Sequence, residues 1–149
     1  MAKLDVDAAP ILTGSRYPAP FDVPCMNMFR RRLAKAGGLT QLGINLLELQ
    51  PGAWSSQRHW HTEVEEFVYV VDGEVVLVTD GREETLRRGD CAAFLPGVAN
   101  GHHLQNRSDR PARVLEIGSA IDGGDECHYP DIDLHDTAAG YRHKDGTPY

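Results

Sequence analysis

The chain has 149 residues, 41% hydrophobic and 25% charged, which is enough for one domain with its own apolar core and no need of disulfide staples. Its 22 acidic against 15 basic residues give a formal charge of -7, which argues against a nucleic-acid surface; no window approaches the run of about 20 apolar residues that a membrane helix needs. Cys25, Cys91 and Cys127 form no Cys-x-x-Cys, so neither a zinc ribbon nor a redox dithiol is expected. Free thiols, and an N-terminal run from Met1 to Asp7 without an apolar signal core, suit a cytoplasmic protein.

In chain order, residues 1–38 read as an irregular arm, because Pro10, Pro18, Pro20 and Pro24 interrupt any long helix. Phe29-Arg30-Arg31-Arg32-Leu33 reads as a short strand with its arginines on a solvated face, and Gly37-Gly38 ends the arm. From Leu39 the pattern is β. Leu42, Ile44 and Leu46 to Leu49 form one strand, closed by Pro51-Gly52. The β-branched and aromatic run 67–71 ends at Asp72-Gly73, a tight-turn signal; the run 75–78 ends at a second one, Asp80-Gly81. Further strands are expected at 84–86, at 91–95 before Pro96-Gly97, at 103–106 and at 114–117, with Cys91 a small buried hydrophobe. No helix is evident between them, and turn signals about every eight to twelve residues imply an antiparallel sandwich or barrel. This barrel spans 39–121. Residues 122–149 are polar and Gly-rich, with acids at Asp122, Asp125, Glu126, Asp131, Asp133 and Asp136, and read as a tail packing on or beside it.

Chemistry concentrates in His59-Trp60-His61, Glu66 and His102. His-x-His on a strand puts two imidazoles on one face, because side chains alternate with period 2. A third imidazole and a carboxylate join them only if the chain folds back on itself. Imidazole with carboxylate suits first-row transition metals better than Ca²⁺ or Mg²⁺, which prefer oxygen shells. Glu66 shares strand parity with Val68 and Val70, whereas Glu65 shares it with Phe67 and Tyr69, so only one of the two glutamates reaches the site. The step from His61 to Glu66 is odd, so the strand must break near 62–64 to reset the parity. His103 points away from the face of its neighbour His102, and His128, His135 and His143 show no ligand spacing and read as exposed.

These residues carry a resemblance. Gly52, His59-Trp60-His61, Glu66 and Gly73 are similar to the first motif of the cupin superfamily, and Gly89, Pro96-Gly97, His102 and Asn106 to its second, over roughly residues 40–120. The match departs in the loops: one residue more than usual lies between Gly52 and His59, and two more between Gly89 and His102. The resemblance implies an all-β double-stranded β-helix (a jelly-roll barrel) and metal ligands at His59, His61, Glu66 and His102. It also implies one divalent transition metal per chain: iron, manganese, nickel, cobalt or zinc. Edge-strand pairing into a homodimer is expected, with Trp60, Phe67 and Tyr69 on the buried face. Gly101-His102-His103-Leu104 resembles the second motif of small bacterial cupins often named as sugar-phosphate isomerases.

Around the ligands, Gln57 and Arg58 either reach a substrate carboxylate or phosphate or lie in a solvated loop. Trp54 either lines the mouth or packs in the core. Asn45 is placed to add a polar contact, and Phe94 and Leu104 to line the lumen. Two classes of function stay open. One is a metal-dependent enzyme on a small oxygenated substrate, as a dioxygenase or an isomerase of a sugar or sugar phosphate. An isomerase needs a proton-shuttling base, for which Glu63 and Glu65 are weak candidates. The other is a non-catalytic module that binds or senses a metal or small ligand.

Overall fold

The structure, a computed structural model, describes residues 3–121 and 123–149; Met1, Ala2 and Asp122, the first acid of the expected tail, lie outside the described residues. Strands β1 (Ile11–Thr13) and β2 (Met28–Arg32) precede a single helical turn, α1 (Leu33–Gly37). Then follow β3 (Leu42–Leu49), β4 (Trp60–His61), β5 (Glu66–Asp72), β6 (Glu74–Thr79), β7 (Arg82–Arg87), β8 (Cys91–Phe94), β9 (His103–Gln105) and β10 (Ala112–Ser119). The last strands are β11 (Cys127–Tyr129), β12 (Leu134–Thr137) and β13 (Gly140–Arg142).

One sheet runs β1-β2-β3-β10-β5-β8, a second β13-β12-β11-β4, and a third β7-β6-β9. Isolated bridges pair His59 with His102 and Trp54 with Gln105, so the segments flanking β4 and β9 run side by side. All strand pairings are antiparallel among the described residues. At the expected Asp72-Gly73 turn, Gly73 has φ +76°, and a Cβ there would come within 3.0 Å of the Ala112 backbone, so only glycine fits the close approach to β10.

The period of two organises the inner face of the six-stranded sheet. Towards one end it is apolar: Met28, Leu47, Leu49, Val70, Ala112 and Val114 are buried and meet Val75, Leu77 and Leu104 of the three-stranded sheet. Further along the same face the chain turns polar: Arg30 on β2, Asn45 on β3 and Glu116 on β10 stand two residues past Met28, Leu47 and Val114, and Glu66 on β5 stands two past buried Val68. The barrel is thus solid at one end and holds a polar cavity at the other.

Several expectations are revised. The proline-rich arm contributes β1 and β2 to the large sheet, with β2 in register along β3. Its arginines do not form one solvated face. Arg30 shares the parity of buried Met28, so it points inward, where its guanidinium donates to both carboxylate oxygens of Glu116 at 2.7 and 3.1 Å and to the Ser55 carbonyl at 2.7 Å. The tail supplies three strands, and β11 pairs directly with β4, which carries the His-x-His motif. Cys91 is exposed, because β8 turns Ala92 and Phe94 towards the core and so Cys91 away from it. Trp60 belongs to the four-stranded sheet and Phe67 and Tyr69 to the six-stranded one, and of the three Tyr69 is exposed while the other two are half-buried.

Leu47 is fully buried at the centre of this core. Leu47→Ala is expected to cost about 2–5 kcal/mol through lost burial and a residual cavity. Urea unfolding checks this: the midpoint should fall with the slope unchanged.

Candidate metal centre

His59 and His102 are tied by two backbone hydrogen bonds, the His59 N–H donating to the His102 carbonyl at 3.1 Å and the His102 N–H to the His59 carbonyl at 2.8 Å. His61 lies on β4 opposite Cys127, and Glu66 opens β5. The break between them is held by Asp125, whose Oδ1 accepts from the backbone N–H of Glu63 at 3.0 Å and of Val64 at 3.4 Å. This stop in the ladder resets the parity, so that Glu66 and His61 face the same point.

The three Nε2 atoms converge on one oxygen. Glu66 Oε2 lies 2.9 Å from His102 Nε2, 3.6 Å from His59 Nε2 and 3.8 Å from His61 Nε2. Donors at 2.0–2.2 Å from one ion stand about 3 to 3.6 Å apart, so the spacing suits a first-row metal with little movement. Two rings are oriented from behind. His61 Nδ1 lies 2.6 Å from Asp125 Oδ2, and His59 Nδ1 2.9 Å from the Gln57 carbonyl. A ring that donates Nδ1–H outward presents the Nε2 lone pair to the centre, the usual support for a ligating histidine. His102 is held differently, stacked flat on Phe94 with its Nδ1 buried and unpartnered among the described residues.

Electrostatics agree with this donor chemistry. Burial pushes the His102 imidazole below its ordinary range, towards the neutral form that ligates. Burial alone would raise Glu66, but hydrogen bonds from His102 and His59 outweigh it and hold the carboxyl far below the usual range. Three imidazoles and one carboxylate are a donor set for a divalent transition metal. Cys127 adds a sulfur within 4.8 Å of donor atoms on His59 and His61, and burial keeps it a thiol.

The centre opens on a cavity of about 440 Å³, lined by Asn45 and Phe94 as well as Arg30, Glu116, Tyr129 and Asp136. Of the five residues expected to meet a substrate, Asn45 and Phe94 line this space and the other three turn elsewhere. Gln57 is buried and its Nε2 donates to the Phe21 carbonyl at 2.6 Å. Arg58 donates to Asp131 at 2.7 Å and also pairs with Asp80. Trp54 packs edge-on against His103 and joins the core. Adjacency to a ligand did not help: Gln57 sits in an irregular loop, and Arg58 alternates away from His59. Glu63 and Glu65 are exposed. Tyr129, Asp136 and Tyr141 came from the segment read as a tail; its alternating Cys127-His128-Tyr129 and Leu134-His135-Asp136-Thr137 were the missed strand signal.

The Cupin domain family model matches residues 45–118. The chain is 42% identical, with TM-score 0.92, to the solved structure of a cupin-superfamily sugar phosphate isomerase from Silicibacter pomeroyi, covering 99% of this chain and 96% of that one. The chain belongs to the cupin superfamily. A structure from Acidithiobacillus ferrooxidans, which bears the sugar phosphate isomerase name provisionally, is 26% identical over 88% of this cupin and 83% of its own chain, with TM-score 0.75. The tetracenomycin polyketide synthase protein TcmJ of Streptomyces glaucescens is 31% identical over 78 residues, which are 52% of this cupin and 50% of that protein. This cupin spans about half the length of the curated relatives it matches.

His103, beside the ligand, takes a different part. Its Nδ1 lies 2.9 Å from the Ser56 carbonyl and its Nε2 2.9 Å from Gln105 Nε2, and burial pushes it down to about 4. Below an unfolded value near 6.5 the unfolded chain takes up a proton that the folded chain refuses, so stability falls with pH until the folded value is reached. Metal-free protein is expected to lose about 3 kcal/mol from this group between those limits. The measurement is urea unfolding across that pH range, with a shallower slope expected in His103→Gln.

Proposed function

We propose that this cupin is a metal-dependent isomerase of a small sugar or sugar phosphate, with His59, His61, Glu66 and His102 as ligands and Asp136 as the proton-shuttling group. The observation that carries this reading is the carboxyl of Asp136, which lines the cavity beside the centre and is raised by burial. A carboxyl in a cleft whose affinity for a proton is raised is better suited to take and return one than a free carboxylate. Its strand places it opposite Cys127, which itself stands beside His59 and His61.

A divalent ion held by these ligands supplies polarisation of a substrate carbonyl, which makes the neighbouring C–H acidic. Asp136 would then take the proton from that carbon and return it to the former carbonyl carbon, while the proton of the neighbouring hydroxyl passes to the former carbonyl oxygen, so that the carbonyl moves by one position with no net change in protons. Asn45 and the Arg30–Glu116 pair offer hydrogen bonds to substrate hydroxyls, and a phosphate is directed to Arg16, exposed at the cavity rim. The likeness over almost the whole chain to the Silicibacter pomeroyi structure supports the substrate class.

The test begins with plasma mass spectrometry of untagged protein. Close to one equivalent of iron, manganese, nickel, cobalt or zinc per chain at this centre is expected, lost in His59→Ala and in His102→Ala. NMR exchange of solvent deuterium into free and phosphorylated aldoses and ketoses then reads the reaction. Asp136→Asn is expected to lower turnover by about 10²–10⁴-fold with metal content unchanged. Oxygen uptake by the iron-loaded protein without isomerisation would replace this reading with a dioxygenase. Equal metal in the wild type and both histidine variants would leave a ligand-binding module.

A further inference from the structure

We propose that Glu126, His128 and His135 form a second metal site, specific for a late first-row divalent ion such as Zn²⁺, on the face of the four-stranded sheet turned away from the cavity. The register defines two rows across this sheet. His61, Cys127, Asp136 and Tyr141 stand in one row, and all four line the cavity. Trp60, His128, His135 and Arg142 stand in the next, and alternation sends them to the opposite face. The outer site is therefore built from different side chains than the centre in the barrel.

Its three donor-bearing side chains lie close together. His128 and His135 are direct cross-strand partners with ring centroids 4.3 Å apart. Glu126 Oε2 lies 3.1 Å from His135 Nε2 and 3.8 Å from His128 Nε2, and the three donor atoms all fall within 4.8 Å of one another. Trp60 stacks on the far side of the His128 ring, centroids 4.3 Å apart at 14°. The rings are thus held by the ladder and the indole before an ion arrives, so little side-chain freedom is lost on binding. Two imidazoles and one carboxylate with an open position suit zinc. The His128 and His135 side chains are 34% and 24% exposed, so an ion enters without any opening of the fold. The nearby cation, Arg142, is turned aside by a hydrogen bond from its guanidinium to the Gly146 carbonyl at 2.9 Å.

The experiment is a titration of the metal-stripped full chain with Zn²⁺ alone, counted by calorimetry and by mass spectrometry after equilibrium dialysis. His128→Ala and His135→Ala are each expected to bind one equivalent fewer than the wild type, while His59→Ala/His102→Ala keeps the outer equivalent. Glu126→Gln preserves shape and should weaken that equivalent at least about tenfold, the cost of losing even a supporting partner. Cu²⁺ should quench indole fluorescence in the wild type and much less in Trp60→Phe. Equal Zn²⁺ stoichiometry in the wild type and in folded His128 and His135 variants would overturn the proposal, leaving the trio a hydrogen-bonded cluster. Should either alanine variant not fold, unchanged Zn²⁺ affinity in Glu126→Gln with quenching unaffected by Trp60→Phe would overturn it equally.

Discussion

Two backbone hydrogen bonds between His59 and His102 hold the site together. They join a loop before β4 to the segment entering β9, and so bring an imidazole from each half of the barrel to the same point. Glu66 can receive three imidazoles only because that bridge is closed. The space around it explains Gly101: a Cβ there would lie 2.9 Å from the Pro130 ring, so any side chain would push the β11–β12 turn away from the segment that carries His102.

The second organising constraint is the change of character along the inner face. On β2, β3, β5 and β10 the same parity runs from Met28, Leu47, Val70 and Val114 to Arg30, Asn45, Glu66 and Glu116. The apolar end supplies the burial that stabilises the fold. At the polar end the charges are satisfied by one another, Arg30 by Glu116 and Glu66 by the histidines, which is what allows polar groups to line a cavity inside the barrel. Core and site are therefore two ends of the same strands.

The four-stranded sheet carries chemistry on both faces. Its inner row brings Cys127, Asp136 and Tyr141 to the cavity, and Asp125 just before it orients His61. Its outer row presents two histidines to solvent. Neither set was read from the sequence, because the alternation of Cys127-His128-Tyr129 and Leu134-His135-Asp136-Thr137 lasts only three or four residues amid Asp and Gly. The same weakness affected Gln57, Arg58 and Trp54: near a ligand in sequence, they lie in a loop whose side-chain directions follow from packing and not from period.

What the sequence determined by itself was local in origin. Asp-Gly turns, β-branched runs and the His-x-His and Glu spacing specify an all-β chain and its candidate metal-binding side chains, because turn geometry and the period of two act over a few residues. The inward Arg30, the strands at both ends of the chain, the outer orientation of His128 and His135 and the carboxyl at Asp136 were decided by tertiary structure alone. Each depends on which strand becomes a neighbour and which face that neighbour leaves covered. Those are pairings between residues far apart in sequence, to which no local pattern points.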